Sequence, residues 1–361
     1  MRFQEHQNGK VVTASPKFLV GIVSIVLLSG CGGGGGSTPP AGISAHYAIR
    51  DLGTFLPHKI TGNAKILGYL SSPLPYRPAI WQDGVATPFD AQGGTAEDLS
   101  LSGIVAGSVD KGTKMQAATF TNGQARPIVL PANHSSNALA INNLAMAAGV
   151  FTTSESAGSL PIDHAFVAAH GSASELPPLS GYTSAKAYAI NDSGTVAGYA
   201  SKGTASALDF TRRAILWSGG APKDLNVFHG SKNAQAIAIS NSGSVAGLAD
   251  TYTGSLASPD KAHISFLWKA GISTELRPLA AGQMATVEGI NTAGVCVGVS
   301  AQYVELHAVA WSGEDAVDLQ SRIPPGSGWS LQSAASINDA GEIVGVGMHN
   351  GMLSGFLLTP Q

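Results

Sequence analysis

The sequence predicts an all-β fold: a seven-bladed β-propeller of four-stranded repeats, in which an N-terminal strand completes the last blade. Three observations support this prediction. A nine-residue motif occurs seven times, an aromatic position follows it in most copies, and the N-terminal segment has the pattern of the strand that the last repeat lacks. Successive motifs end 39 to 51 residues apart, a spacing typical of propellers and solenoids.

The nine-residue motif reads INDSGTVAG in its clearest copy, residues 190–198. Its second place always holds a short polar side chain that can bond its own backbone two residues on. Its fifth place is glycine in five copies and alanine in two, as suits a tight turn with an unusual backbone angle. The motif therefore predicts two short strands joined by a turn. The seven copies begin at Ile60, Leu99, Ile141, Ile190, Ile239, Ile290 and Ile337 and end at Gly68, Gly107, Gly149, Gly198, Gly247, Gly298 and Gly345.

A third strand follows each motif and is marked by an aromatic residue in five repeats. Apolar residues two positions earlier, such as Ile215, would share one face of that strand with it. A fourth short strand then ends in pairs such as Asp224-Leu225 and Asp318-Leu319. Four strands per repeat is the make-up of a propeller blade. The aromatic residues are Trp81, Phe120, Trp217, Trp268 and Trp311.

The two ends of the repeat region predict closure of the ring. The last repeat reaches only its third strand, Gly355 to Pro360. The segment from Tyr47 to Leu52 precedes the first motif and has the Asp-Leu ending of a fourth strand. We expect this segment to complete the last blade and to remove exposed strand edges, which invite aggregation. The alternative architecture is an open solenoid, which would want atypical polar repeats at its ends.

The N-terminal segment predicts export and attachment to a membrane. Basic residues precede a largely apolar run of eleven residues, Phe18 to Leu28. This run is too short for the roughly 20 residues that a spanning helix needs, so it indicates a secretory signal. Leu28 to Cys31 (LSGC) resembles the lipobox of bacterial lipoproteins. The resemblance implies removal of residues 1–30 and lipidation of Cys31.

The residues after Cys31 predict where the protein is held. Gly32 stands where an aspartate would signal retention at the inner membrane, so resemblance to lipoproteins of Gram-negative bacteria implies the outer membrane, with the domain facing the periplasm or the cell surface. Residues 31–45 are rich in glycine and proline and predict a flexible tether that spans about 20 Å. Residues 46–361 then form the seven-repeat propeller.

Composition narrows the function classes. The net charge of −3 argues against a nucleic-acid partner. Cys31 and Cys296 are the two cysteines, and lipidation of the first leaves no intrachain disulfide. Cys296 occupies the seventh motif place, where the other repeats have small or branched apolar residues, so we expect a buried hydrophobe.

One repeat makes a family resemblance specific. Residues 187–198 fit the pattern Ala-x-x-Ile-Asn-x-x-Gly-x-x-x-Gly, and residues 164–166 read His-Ala-Phe. Together they resemble the HAF repeats of bacterial extracellular proteins, over roughly Tyr47 to Pro360. The resemblance implies an extracytoplasmic repeat domain and carries no catalytic residue. Only one copy spells His-Ala-Phe, and the first, second and fifth motifs lack the asparagine.

The sequence predicts no cofactor, no metal site and no catalytic residue. His164 and His307 occupy equivalent strand positions in different repeats, too far apart to share an ion, and are interpreted as structural. The Asn-Asp turns lack the alternating ligands and distal glutamate of a calcium loop. No nucleophile elbow, zinc-protease motif or phosphate-binding loop is present in the sequence.

An asymmetry in loop length indicates a binding face. Connections between the second and third strands have 8 residues in four repeats, but 14 to 16 in repeats three to five: 150–163, 199–212 and 248–263. These loops would form a wall on one side of one propeller face. Connections from each fourth strand to the next repeat share that face and supply four candidate ligand contacts. The candidates are His134, Tyr182, His229 and Trp329.

Two functions fit these observations. The first is a non-enzymatic, membrane-tethered, extracytoplasmic binding or scaffolding propeller that holds a glycan or protein partner. The alternative is a polysaccharide hydrolase or lyase with a site on the same face. Its acidic candidates are Asp163, Asp209, Asp250 and Asp260.

Overall fold

The structure is a computed structural model and describes residues 42–73, 76–130, 135–153, 162–202, 211–229, 231, 233–252 and 261–361. For residues 229, 251–252 and 261–263 the backbone alone is described. The predicted signal segment and Cys31 lie outside these ranges. Within them, no helix is both long enough and apolar enough to cross a membrane.

The described residues form strands and two short 3₁₀ helices, Val227–His229 and Leu319–Arg322. In chain order the strands are β1 (Tyr47–Gly53), β2 (Phe55–Ile60), β3 (Ile66–Leu70), β4 (Arg77–Gln82), β5 (Val85–Pro88), β6 (Thr95–Leu99), β7 (Val105–Asp110), β8 (Met115–Thr121), β9 (Gln124–Pro127), β10 (Ser136–Ile141), β11 (Ala147–Thr153), β12 (Ile162–Ala169), β13 (Ser172–Leu176), β14 (Ser184–Ile190), β15 (Val196–Lys202), β16 (Thr211–Ser218), β17 (Ala221–Asp224), β18 (Asn233–Ile239), β19 (Val245–Tyr252), β20 (Lys261–Lys269), β21 (Ile272–Leu276), β22 (Met284–Ile290), β23 (Cys296–Gln302), β24 (Glu305–Trp311), β25 (Val317–Asp318), β26 (Trp329–Ile337), β27 (Ile343–His349) and β28 (Met352–Pro360).

These strands pair within repeats as antiparallel four-stranded units, which confirms the all-β prediction. β2–β5, β6–β9, β10–β13 and β22–β25 are separate four-stranded sheets. β14–β17 and β18–β21 are joined into one sheet by a parallel pair between Arg212 and Asn233. β26–β28 form a sheet with β1, in which Tyr47 pairs with Pro360 and Gly53 with Gly355.

The first strand of each repeat lies innermost. Each of β2, β6, β10, β14, β18, β22 and β26 contacts the first strand of the next repeat, and β26 contacts β2. Residues of these seven strands line one cavity of about 90 Å³. The repeats are therefore arranged around a narrow axis.

Every inner strand carries a β-bulge at the same place. In the fourth repeat Ala187 pairs with Gly198 and Ala189 with Ala197, so Tyr188 is the extra residue. The extra residue shifts the alternation by one position, so that Ala185, Ala187 and Ile190 all pack into the core. The extra residues are His58, Glu97, Leu139, Tyr188, Ile237, Glu288 and Ala335.

The closing glycine of the motif makes room for this bulge. A Cβ atom on Gly198 would lie 1.9 Å from the carbonyl oxygen of Lys186 on the inner strand. In all seven repeats the corresponding distance is between 1.9 and 2.3 Å, which no side chain tolerates. The bulge pushes an inner-strand carbonyl against the second strand, and glycine alone fits beneath it.

The motif turns form one face of the molecule, which we call the turn face. As predicted, second-place side chains bind their own turn: Asn142 Oδ1 accepts from the Leu144 amide at 3.0 Å. The predicted backbone angle is also confirmed, since the fifth-place residues have φ between +56° and +88°. The opposite face, which carries the long connections, is called the loop face.

Neighbouring turns are linked by hydrogen bonds that the sequence did not reveal. The Nδ2 group of each second-place asparagine donates to the second-place carbonyl oxygen of the next repeat. The pairs are Asn142 to Asn191 (2.9 Å), Asn191 to Ser240 (3.2 Å), Asn291 to Asn338 (3.2 Å) and Asn338 to Thr61 (3.0 Å). The last pair joins the seventh repeat to the first.

Tryptophans of the third strands link repeats on their outer side. In three of them the indole Nε1 group donates to a carbonyl oxygen just after the fourth strand of the preceding repeat. The pairs are Trp217 to Pro177 (2.7 Å), Trp268 to Leu225 (3.1 Å) and Trp311 to Arg277 (2.7 Å). The shared aromatic position is thus both a core position and a junction between repeats.

The N-terminal boundary of the folded unit lies earlier than residue 46. Ile43 is 6% exposed and belongs to the core of the last repeats together with Val295. Ile43, which the tether prediction includes, is thus packed on the domain, whereas Gly42 and Ala45 are exposed.

Candidate ligand-binding site on the loop face

Two of the four predicted ligand contacts have described side chains. Trp329 begins β26, is 8% exposed and stacks on His349 with 4.5 Å between ring centres. Tyr182 is half-buried, and Lys202 Nζ lies 5.7 Å from its ring centre. Both side chains pack against apolar core residues.

The other two predicted contacts have no described side chain. His229 ends the 3₁₀ helix Val227–His229, and His134 lies outside the described residues. The acidic candidates Asp209 and Asp260 also lie outside them. Ligand contact by His134, Tyr182, His229 and Trp329 stays a prediction.

A polar cluster that the sequence did not single out lies at the base of the long connections. Its five residues, the loop-face cluster, are Asp163 of β12, Lys186 and Tyr188 of β14, Tyr199 of β15 and Arg212 of β16. They come from repeats three and four, and the Arg212 Nη1 group reaches Gln235 Oε1 of repeat five at 3.5 Å. The cluster therefore spans the three repeats with long connections.

Backbone contacts fix Asp163 at this place. Its amide donates to Ser184 Oγ at 3.0 Å, and the same hydroxyl donates to the Asp163 carbonyl oxygen at 2.9 Å. Ser184 begins β14, so this reciprocal pair locks the third strand of repeat three to the inner strand of repeat four. The carboxyl group is held beside the next repeat.

Aromatic rings hold the two cations of the cluster. The Arg212 guanidinium carbon lies 4.7 Å from the Tyr199 ring centre, and Lys186 Nζ lies 5.2 Å from that of Tyr188. The two tyrosine rings are 5.8 Å apart and tilted by 48°. Such cation–π contacts contribute about 0.5–1 kcal/mol at exposed sites and more when water is excluded. They orient the charged groups without neutralising them.

Burial shifts the proton equilibria of the cluster. Desolvation raises the pKa of the Asp163 carboxyl, while Lys186, a hydrogen bond from Tyr199 and Arg212 partly offset the rise. Burial also raises the pKa of the Tyr199 hydroxyl, so it remains a hydrogen-bond donor at neutral pH. An acid kept in an unfavourable environment next to two cations is typical of functional sites.

The cluster borders the axial cavity through Tyr188. Tyr188, His58 and Glu288 are bulge residues that line this cavity, together with Lys59 and Asp98. Lys59 Nζ lies 3.0 Å from Asp98 Oδ1, and Asp98 Oδ2 accepts from the Ile141 amide at 2.9 Å. The almost fully buried Asp98 thereby ties the first three repeats together.

Cavity size decides where a ligand can bind. The axial cavity of about 90 Å³ has room for about three waters at roughly 30 Å³ each. Sites for small organic molecules have about 300 Å³ or more. The axial cavity is therefore too small to enclose a sugar or a peptide side chain.

A larger cleft of about 280 Å³ lies between the first repeat and β1, on the side of the motif turns. Arg50, Asp83 and Glu342 are among its lining residues. Its aromatic residue, Trp81, is 7% exposed, and the Arg50 guanidinium carbon lies 4.9 Å from the indole ring centre. The Arg50 guanidinium therefore occupies one face of this buried ring.

The third-strand histidines have structural partners. His164 Nδ1 lies 2.8 Å from Glu175, and His307 Nδ1 lies 3.5 Å from Asp318, each on the neighbouring fourth strand. Arg213 makes the equivalent contact with Asp224 at 2.9 Å in repeat four. These pairs agree with the structural interpretation of the histidines.

The described part of the chain contains no group of three or more histidine, cysteine or acidic side chains able to hold a metal ion. Cys296 is fully buried, as expected, and burial raises the pKa of its thiol to about 12. A thiol in such surroundings is unreactive.

Residues 131–352 match a family described as "Protein of unknown function (DUF3466)". The chain belongs to the DUF3466 family. The DUF3466 match begins after the second repeat and contains all five residues of the loop-face cluster. A search of curated proteins finds no match.

Solved structures similar to this DUF3466 protein include a β-propeller domain. The β-propeller domain of the trilobed protease from Pyrococcus furiosus, described as having an open velcro topology, has 9% identity and a TM-score of 0.56, with 87% of this chain and 95% of that chain covered. Pyrococcus horikoshii acylaminoacyl peptidase has 12% identity and a TM-score of 0.53, and the match covers 82% of this chain and 49% of the peptidase chain. The chain thus spans about half the length of that peptidase. At these identities the similarity shows the propeller fold alone.

Proposed function

We propose that this protein is a closed seven-bladed propeller that binds a ligand on its loop face without catalysis, while a lipid on Cys31 holds it at the outer membrane. The observation that carries the binding proposal is the loop-face cluster. It combines two cations, two tyrosine rings and a buried acid at the edge of the axis, below the long connections. Such a set suits a ligand with polar or anionic groups.

Closure of the ring is supported by three sets of contacts between the ends of the repeat region. β1 pairs with β28, β26 contacts β2, and the Asn338 side chain donates to the Thr61 carbonyl oxygen. Removing residues 1–53 tests closure, because it would expose the edge of β28. We expect the shortened chain to self-associate in sedimentation experiments, whereas a monomer of unchanged stability would contradict closure.

A binding role fits the cluster better than the alternative hydrolase or lyase. Glycoside hydrolysis usually needs two carboxyl groups about 5 to 9.5 Å apart. The loop-face cluster, as described, contains one carboxyl group, Asp163. The lyase alternative draws its support from the raised pKa of this group and its hydrogen bond with Tyr199.

Binding is tested with the full chain on arrays of envelope and capsular glycans and on peptides. We expect Lys186→Gln and Arg212→Gln to weaken binding about tenfold each, since each removes a charge-assisted contact of 1–2 kcal/mol. Lys269→Gln is the matched control, because Lys269 is exposed at the turn-face end of β20. Equal effects of the three substitutions would contradict the proposed site.

The long connection of repeat four gives a second test. β15 ends at Lys202 and β16 begins at Thr211, and these two residues pair with each other, so residues 203–210 can be shortened to a two-residue Asn-Gly turn without removing strand residues. We expect weaker binding with an unchanged thermal unfolding midpoint. Full affinity after this deletion would exclude the connection from the site.

Catalysis is tested by screening the same polysaccharides for turnover. Turnover that is abolished in Asp163→Asn would establish the enzymatic alternative, and absence of turnover on polymers that bind would support a binding protein.

Protease treatment of intact and lysed cells, with detection of a C-terminal epitope, distinguishes a location on the cell surface from one in the periplasm. An epitope lost from intact cells indicates the surface, and one protected until lysis indicates the periplasm.

A further inference from the structure

The chain enters the described fold on the turn face. Gly42 lies against the sixth-repeat turn, where a Cβ atom on it would be 2.9 Å from Val295 Cγ2. Ile43 is buried in the same core cluster as Val295. The Gln361 amide donates to the His46 carbonyl oxygen at 3.0 Å, which holds the segment beside the C-terminus.

β1 then runs from the turn face toward the loop face. Tyr47 pairs with Pro360, while Ile343, the first residue after the seventh motif turn, pairs with Leu358. Tyr47 therefore lies at the turn-face end, and Gly53 lies at the opposite end of the strand. The attachment point and the loop-face cluster are on opposite faces of the propeller.

Tether length limits how the domain can stand on a membrane. Ten residues separate Cys31 from Gly42, and a glycine-rich coil of that length spans about 20 Å. The seven residues of β1 alone extend about 20 Å from one face to the other. A tether that starts on the turn face is therefore too short, in its usual conformations, to bring the loop face against the lipid that anchors it.

We propose that the turn face is the surface that lies toward the anchoring membrane and that the loop face points away from it. This proposal rests on the proposed lipid anchor. The two faces also differ in shape, because the motif turns of the turn face have five residues, whereas the connections between the second and third strands of repeats three to five, on the loop face, have eight once the strands are assigned. The partner of the loop-face cluster then belongs to the space or surface opposite the anchoring leaflet and is not a lipid of that leaflet.

Two positions in the sixth repeat give a matched test. Ala293 is exposed in the turn before β23, and Val304 is 55% exposed just after it, so they mark the two ends of one strand. Ala293→Cys and Val304→Cys, each in the full lipidated chain, accept a fluorescent donor, because Cys296 is fully buried. The vesicles contain phosphatidylethanolamine and phosphatidylglycerol with a headgroup-linked acceptor dye.

We expect energy transfer to be roughly twofold or more stronger from position 293, since the seven residues of β23 separate the labels by about 20 Å. Equal transfer, or stronger transfer from position 304, overturns the proposed orientation. Insertion of 30 glycine and serine residues after Pro40 should reduce the difference. An undiminished difference would mean that another contact, and not the tether, sets the orientation.

Flotation of the unlabelled protein with vesicles separates the two proposals. If the protein floats only when Cys31 is present but energy transfer is equal from positions 293 and 304, the proposed orientation is wrong and the proposed anchor stands. Protein that does not float, and carries no lipid by mass spectrometry, overturns the anchor and the orientation with it.

Discussion

The turn face and the loop face are built from the same seven repeats, yet they differ in how far the repeats agree. On the turn face, four asparagines make the same bond to the next repeat, and every repeat has a glycine under its bulge. On the loop face, repeats three to five have long connections and a cluster of charged and aromatic residues. One face thus holds the repeats together, which leaves the other free to diverge.

The largest expected effect comes from the glycine under the bulge. Gly198→Ala puts a Cβ atom 1.9 Å from the Lys186 carbonyl oxygen, so backbone must move. We expect a loss of about 3 kcal/mol in the free energy of unfolding, at the upper end of the cost of overpacking. Urea denaturation measures it. Gly313→Ala is the control, because Gly313 is exposed with nothing within 4 Å of its Cβ position; equal losses would refute the explanation.

The second effect tests the tryptophan junctions. Trp217→Phe removes the bond to the Pro177 carbonyl oxygen and should cost about 2 kcal/mol, because the carbonyl group loses a buried partner. Trp81→Phe keeps an aromatic ring beneath Arg50 and should cost about 1 kcal/mol. Thermal unfolding of both variants measures the two losses of stability, and a larger loss for Trp81→Phe would contradict the role of the hydrogen bond.

The asparagine hydrogen bonds between neighbouring turns can be removed from one repeat and introduced into another by substitution. Asn191→Ser keeps a side chain that can bind its own turn but loses the bond to the Ser240 carbonyl oxygen, which should cost about 1 kcal/mol. Ser240 binds within its own turn, so Ser240→Asn should add a bond to the sixth repeat and stabilise by about the same amount. Chemical denaturation measures both. Shifts of the same sign would show that the asparagines do not act across repeats.

A smaller effect on stability is expected from Asp163, the buried acid of the loop-face cluster. Burial raises the pKa of Asp163 in the folded state, so the protein loses stability as the pH rises from 3.8 through that raised pKa. Asp163→Asn still accepts the Tyr199 hydrogen bond and should be more stable than the native protein at pH 7, with the difference vanishing below pH 3.8. Denaturation between pH 3.5 and 7.5 tests this. A variant less stable at pH 7 would contradict it.

The smallest effect concerns a histidine pair. The hydrogen bond with Asp318 raises the pKa of the half-exposed His307, so the pair stabilises the fold below pH 6.5 and loses this effect as the pH rises through the raised pKa. His307→Gln should therefore be less stable than the native protein at pH 5.5 and nearly equal at pH 8.5. NMR titration of the imidazole and thermal unfolding at both pH values provide the measurement.

The turn face could be predicted from the sequence because the nine-residue motif that forms it occurs seven times. The strand pairs around the motif and the positive backbone angle at its fifth place follow from such repetition. The bulge does not, because a register shift appears only when the partner of each residue is known. A sign was present, however: the extra residue always stands two positions before the motif begins, as Tyr188 does before Ile190.

The loop-face cluster was harder to find because its members are far apart in the sequence and look ordinary there. Lys186 and Tyr199 are strand residues on either side of the fourth motif, and Arg212 precedes a third strand. Asp163 was noted only as one of four acidic residues. The sequence pattern favours aromatic and histidine residues of the inter-repeat connections instead, although Trp329 is 8% exposed in the fold. The cluster exists because pairing and stacking of neighbouring repeats bring these strands together.

The pairing of β1 with β28 also sets an order of events for a growing chain. β1 is synthesised long before its partner β28, and Ser44 and Gln361, which are joined by a hydrogen bond, are 317 positions apart. Contacts of such separation form late, because a long loop must close before they gain energy. A product that ends prematurely lacks β28 and leaves β1 without a partner strand, so its defect is exposed to proteases and chaperones. Formation of this sheet therefore depends on synthesis of every repeat between β1 and β28.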